Sequence, residues 1–197
     1  MKNTKGTLGL LVAILIMGTS MNAFGFLGFG GTEKWKEEVQ LSDGRLIVVD
    51  RETLHERGGG EIVSNRSGTK PKERRIRFAH PDGSGKMIEW RSTKKDDGRW
   101  PEKPLILDLE SGQPIVFTLV AISDAYEIYS KYVYRNDVWN EEALPERFAE
   151  RTTNLFIRDG VDMPKFVDLE TKRKNNKSKS YRKSLRQVGP MRQVRFD

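Results

Sequence analysis

The sequence predicts a mainly-β fold: a single domain of antiparallel hairpins, built as a sandwich, a meander or a partly open barrel, with one short helix and a basic C-terminal tail. Three observations carry this. Several segments alternate apolar and polar residues with period two, the pattern of a strand with one buried face. Clusters of turn-forming residues separate them at spacings of about 8–12 residues. No internal repeat of fixed period, which would signal a solenoid or propeller, is visible.

Each element follows from its own residues. Trp35, Val39 and Leu41 share one side of an extended segment, with Lys36, Glu38 and Gln40 on the other. Ser42-Asp43-Gly44-Arg45 then turns the chain, with Gly44 available for a positive φ. Residues 46–49 form a continuous apolar run, which predicts a strand covered on both faces. Residues 57–60 and 64–71 read as loops. In the second hairpin, Ile76 and Phe78 face inward from residues 74–79, and Ile88 and Trp90 from residues 86–93. The polar, proline-containing stretch 94–104 reads as a long loop.

A third pair, 105–109 and 115–122, flanks Ser111-Gly112-Gln113-Pro114, and its second member is apolar on both faces, as a central strand would be. Residues 124–129 fit a helical turn or an irregular loop equally well. A fourth hairpin runs through Asn136-Asp137, joining 131–135 to 138–141. Leu144 and Phe148, four apart behind Pro145, predict a short helix over 142–150. Residues 154–157 read as a last short strand.

The ends differ from this core. Lys2 and Lys5 precede an apolar run at 8–17, and small or weakly polar residues follow. That layout is a secretory signal peptide, to be set aside in fold reasoning. Ala23 and Gly25 supply the small residues for cleavage before Phe26; cleavage before Phe24 is the weaker alternative. The competing reading is an uncleaved anchor, since residues 8–29 carry no charge and a spanning helix needs about 20 residues. The many glycines and polar residues in that stretch favour the cleaved leader. The expected organisation is therefore a signal peptide at 1–25, a flexible leader at 26–34, a β-rich domain at 35–169 and a basic tail at 170–197. The first reading puts the chain in the periplasm or outside the cell; the anchor reading puts it at the inner membrane.

Charge is divided unevenly. Of the whole chain's net +7, residues 32–169 contribute −3 and residues 170–197 contribute +8. Within the tail, Lys172, Arg173, Lys174, Lys177, Lys179, Arg182, Lys183 and Arg186 are the candidate polyanion-binding residues. Such a block stays disordered or weakly helical until it meets an anion. Tyr181, Leu185 and Val188 have the spacing of a narrow amphipathic helix in its second half.

The chemistry is constrained by what is missing. With no cysteine, the chain has no disulfide, no thiolate metal site and no cysteine nucleophile. His55 and His80 are 25 residues apart, too sparse for a zinc site without Glu56 or Asp82. No Gly-x-Ser-x-Gly elbow is present, and Ser64, Ser67 and Ser84 sit in turn-like stretches. The pairs Asp96-Asp97 and Glu141-Glu142 would point to opposite faces of a strand. Tyr126, Tyr129, Tyr132, Tyr134 and Trp139 fit either a stacking platform or ordinary sheet packing. Lys70, Lys72, Arg74, Arg75 and Arg77 read either as a basic patch beside a turn or, the commoner case, as a solvated strand face opposite neighbouring acids.

The run Trp35-Lys36-Glu37-Glu38-Val39, the turn Asp43-Gly44-Arg45, the following Ile47-Val48-Val49 and Arg51, the strand Ile88-Glu89-Trp90 and the later Pro104-Leu105-Ile106-Leu107-Asp108 with Gly112-x-Pro114 together resemble an uncharacterised family of small exported proteins of Gram-negative bacteria. The resemblance spans residues 35–157. It implies export and a β-rich fold, and brings no activity, cofactor or site residue. Members of that family are often lipid-anchored through a leader cysteine, which this chain lacks.

These readings combine into an exported, non-enzymatic binding or envelope-associated protein, needing no cofactor, whose basic tail contacts an anionic envelope surface or polymer. The alternatives are a periplasmic hydrolase of envelope polymers and a nucleic-acid binder acting through the tail. An exported chain disfavours nucleic acid as partner.

Overall fold

The computed structural model describes residues 31–57, 68–96, 100–122, 126–144, 147–156, 164–177, 184–188 and 191–193. The leader, with Ala23 and Gly25, lies outside them. The chain is mainly β, as its alternation predicts. In the first sheet β1 (Thr32–Gln40), β2 (Leu46–Arg57), β3 (Thr69–Ala79) and β4 (Met87–Arg91) pair antiparallel in sequence order. In the second, β5 (Lys103–Glu110), β6 (Gln113–Ile122), β7 (Tyr126–Arg135) and β8 (Val138–Glu142) do the same. Later segments add to these: β9 (Arg147–Thr152), β10 (Phe166–Val167), α1 (Leu169–Lys177), β11 (Ser184–Val188) and β12 (Met191–Gln193). β10 pairs parallel with β1, β11 pairs with β9, and β12 extends the second sheet along β7.

The two main sheets share one core. Val39, Val49, Ile76, Phe78, Ile88 and Trp90 from the first pack with Leu107, Val116 and Tyr132 from the second. The Trp90 and Tyr132 ring centroids lie 6.0 Å apart, tilted. β6 is central and buried on both faces, because its odd residues Ile115, Phe117 and Leu119 enter a second apolar cluster with Ile106, Tyr129 and Val133, against which Leu144 packs. Two-residue turns close the hairpins of the second sheet: Ser111 and Gly112 sit at φ 50° and 79°, Asn136 and Asp137 at 51° and 66°. Positive φ at both positions matches the right-handed twist of the flanking strands.

The structure corrects several expectations. Leu46 and Val48 are half exposed, because only the inner face of the first sheet is covered. β2 and β3 extend through Arg57 and from Thr69, shortening both expected loops. β1 begins at Thr32, inside the expected flexible leader, where it pairs with Leu54. Residues 126–129 belong to β7, held by β6 on one side and β12 on the other. The expected helix at 142–150 is replaced by β9, whose pairing with β11 satisfies backbone groups that a local four-residue spacing cannot anticipate. Residues 154–156 form no strand; instead Leu155 N donates to Leu105 O along the edge of β5. Within the expected tail the described residues include α1, and the segment with Leu185 and Val188 is strand β11 rather than a helix.

Candidate functional site

The C-terminal helix is fastened to the body by a buried charge cluster. Glu37 lies on the inward side of β1 between Trp35 and Val39, and is fully buried. An ionised carboxylate there is costly unless paired and hydrogen-bonded. Arg51 of β2 meets one carboxylate oxygen. The other accepts Phe156 N at 2.9 Å and Lys172 Nζ at 2.6 Å. Lys172 also donates to Asn154 O at 2.7 Å and to Glu38 O. Arg51 in turn stacks over the Trp35 ring, 5.1 Å from its centroid. Burial pushes the Lys172 ammonium below its ordinary pKa, against the opposing pull of Glu37.

Local chemistry sets the angle of α1. Asp168 caps the helix, accepting Thr171 N at 2.8 Å, and that bond holds its carboxyl below the usual value. Glu38 reaches from β1 to accept Leu169 N at 3.0 Å. Beside the helix a groove of about 530 Å³ opens at the seam between the sheets. Asn154 closes the seam behind it. Its side chain accepts Leu107 N at 3.0 Å and donates to Leu107 O at 2.7 Å and Gln40 O at 3.0 Å, which ties β5 to β1. Asp108 accepts from both the amide and hydroxyl of Ser42 at 2.9 Å, fixing the β1–β2 turn on the groove's other wall.

The eight basic residues singled out in the sequence do not act as one block. Lys172 is a correction: it is buried and internally paired, so it offers nothing to a polyanion. Arg173 and Lys174 are exposed on α1. Lys174 pairs with Glu170 at 3.0 Å, whereas Arg173 lines the groove. Lys177 ends α1 and Arg186 lies in β11. Lys179, Arg182 and Lys183 lie outside the described residues, as does Tyr181 of the expected tail helix.

A second polar cluster sits between the sheets. Glu102, fully buried, accepts Thr93 N at 2.8 Å, Lys94 N at 3.2 Å, Thr118 Oγ1 at 2.7 Å and Tyr132 Oη at 2.9 Å. Burial, above all, pushes the Tyr132 phenol up, so it stays a donor. At its margin Lys94 Nζ donates to Ser130 Oγ at 3.0 Å, and both pair with Glu141. A lysine donating to a carboxylate has no lone pair with which to activate a serine, and Glu102 has its acceptor sites filled.

The remaining candidates resolve similarly. His55 Nδ1 lies 3.2 Å from Gly31 O, and His80 Nδ1 lies 3.0 Å from Asp82. Among the described residues no three His, Cys, Asp or Glu side chains are grouped to hold a metal ion. Asp96 accepts Trp100 N at 2.7 Å, while Asp97 lies outside the described residues. Tyr129 and Tyr132 are buried, and Tyr134 packs against Trp139 at 5.2 Å, so these aromatics serve the sheet packing. In the basic run, Arg75 pairs with Glu52 and Glu73, Arg77 with Glu89, and Arg74 is buried against Pro101 O. Compared with protein-family models, curated proteins and solved structures, the chain gives no match. Among the described residues no helix is long and apolar enough to cross a membrane.

Sequence reasoning missed Glu37, Glu102 and Asn154. For Glu37 a signal was present: it occupies an inward position of the Trp35-x-Glu37-x-Val39-x-Leu41 alternation. A carboxylate there requires a buried cation from elsewhere in the chain.

Proposed function

We propose that this chain is an exported, non-enzymatic binding protein that attaches to an anionic surface of the cell envelope through α1 and the basic segment that follows it. The observation that carries this is Lys172. By locking into the Glu37–Arg51 cluster it makes α1 a fixed part of the body. Arg173 and Lys174 then project from a rigid platform, and the rest of the basic segment follows directly. Each cation near an anionic membrane adds about 1 kcal/mol, and the effect falls away over a Debye length.

The test replaces Arg173, Lys174, Lys177, Lys179, Arg182, Lys183 and Arg186 with Gln and leaves Lys172 intact. The wild-type chain is expected to sediment with anionic phospholipid vesicles at low salt and to leave them at high salt. The variant is expected to stay in the supernatant at both; a variant that sediments like wild type overturns the proposal. Export is tested by fractionating expressing cells and reading the mature N-terminus by mass spectrometry. A periplasmic chain beginning near Phe24 or Phe26 is expected, and an intact Met1 in the membrane fraction would replace export with anchoring.

A further inference from the structure

The face of the first sheet turned away from the core is open, and the strand registers arrange it in rows. One row runs Lys36–Asp50–Arg77–Glu89 across β1, β2, β3 and β4. Its charges alternate, with Lys36 3.2 Å from Asp50 and Arg77 2.6 Å from Glu89. On one side lies the row Lys34–Glu52–Arg75–Arg91. On the other, Glu38 pairs with Val48 and Ala79 with Met87, and continuing the β2–β3 register brings Val48 beside Ala79. Val48 and its neighbour Leu46 are 51% exposed and Met87 is 55% exposed, so an apolar patch adjoins the charged rows. With Glu73 included, the face carries five cations and five carboxylates and no net charge. Exposed apolar patches rimmed by polar residues mark interaction sites.

We propose that this face docks a second copy of the chain, about a two-fold axis that runs along the strands between β2 and β3. A two-fold contact requires a surface that complements itself. This rotation lays β1 over β4 and β2 over β3 of the second copy, and keeps each row level with itself. Lys36–Asp50–Arg77–Glu89 then meets the same row reversed, so every cation faces a carboxylate. In the neighbouring rows Glu52 faces Arg75, and Val48 faces Ala79. Glu38 falls over Met87 with its carboxylate turned to Leu169 N. Lys34 over Arg91 is the one like-charged combination, and it lies at the margin, where the two side chains are 70% and 54% exposed. A two-fold across the strands does not serve. It lays each strand on its own copy, and β2 offers no cation on this face to meet its carboxylates. Exposed ion pairs add little affinity but set orientation, and the apolar patch supplies the burial. Four strands at their usual spacing, over the length of β1 from Lys34 to Gln40, make a footprint of about 400 Å². That is about half of a standard interface per partner, so the dimer is weak and concentration-dependent. Rotation about an axis along the strands leaves both β1–β2 turns, and α1 beside them, at the same end of the pair.

The test is sedimentation-velocity ultracentrifugation of the chain as isolated from expressing cells, without vesicles, over about 10 μM to 1 mM. The wild type is expected to pass from monomer toward dimer across this range. Asp50→Lys sets a lysine against Arg77, and Arg77→Asp sets a carboxylate against Asp50. Each variant alone is expected to dimerise at least about tenfold more weakly. An equimolar mixture of the two is expected to dimerise again, because each chain then supplies the charge the other needs at both contacts. Ala79→Glu, at an exposed position, is expected to abolish the dimer while leaving the urea unfolding midpoint of the chain unchanged. A chain that is monomeric throughout, single variants that dimerise like wild type, or a mixture that stays monomeric would each overturn the inference. No anionic surface enters this measurement, so its failure leaves the surface-attachment reading standing, and failure of vesicle sedimentation leaves the dimer standing.

Discussion

Glu37 shows how one side chain can decide where a distant segment goes. It is fully buried, and its two oxygens are shared between Arg51, Lys172 and Phe156 N. Removing one partner of a buried ionic group leaves the others uncompensated and costs about 3–5 kcal/mol. Glu37→Gln is therefore expected to lose stability on that scale in urea unfolding, with Arg51 and Lys172 left as unpaired buried cations. The triple replacement Glu37→Leu, Arg51→Met, Lys172→Met is expected to recover most of the loss, because apolar groups need no charged partner. If the single and triple variants are equally destabilised, the cluster's role is packing rather than charge.

Tyr132 gives a pH signature. Its phenol pKa is raised above the ordinary value of 10 by burial, aided by the Glu102 carboxylate. The folded state therefore keeps the proton to higher pH than the unfolded chain. Its contribution is full below pH 10 and declines as pH rises through the window between the unfolded and folded values. Stability of the wild type is expected to fall more steeply above that point than stability of Tyr132→Phe, which has no proton to lose. Parallel curves would show that Tyr132 contributes no such linkage.

At the scale of elements, legibility followed the range of the interactions. β1, β3 and β4 were readable because Trp35, Val39, Ile76, Phe78, Ile88 and Trp90 alternate locally and all face inward. The hairpins of the second sheet were readable from their turns, as φ at Ser111, Gly112, Asn136 and Asp137 bears out. The segments misread were those whose conformation depends on a partner far along the chain. β9 is extended because β11 pairs with it, and β7 starts at Tyr126 because β6 and β12 hold it. The pattern at 46–49 misled for another reason. An apolar run indicates the propensity of a strand, but whether a second layer covers it is settled elsewhere, and here Leu46 and Val48 stay half exposed.

At the scale of the molecule, the two sheets are joined along their edges by side chains. On one edge Asn154 makes three hydrogen bonds to the backbones of β1 and β5. On the other, Trp139 Nε1 donates to Glu89 O at 2.8 Å, joining β8 to β4. Such caps also blunt edges that would otherwise recruit another strand. Asn154→Ala is expected to cost about 1–3 kcal/mol through the backbone groups it leaves unsatisfied. Faster amide exchange at Leu107 should accompany the loss. Unchanged exchange there would mean that the seam is held without Asn154.

The sequence by itself determined the fold class, the main hairpins and the uneven spread of charge, because alternation, turn chemistry and composition act over a few residues. Only the tertiary structure decided which charges are usable. Lys172 and Arg173 are neighbours of the same charge in the same basic run, yet one is buried against Glu37 and the other is exposed on the helix surface. That difference comes from the helical rotation between adjacent residues and from a carboxylate on β1 far earlier in the chain. Neither a charge count nor a local pattern contains it.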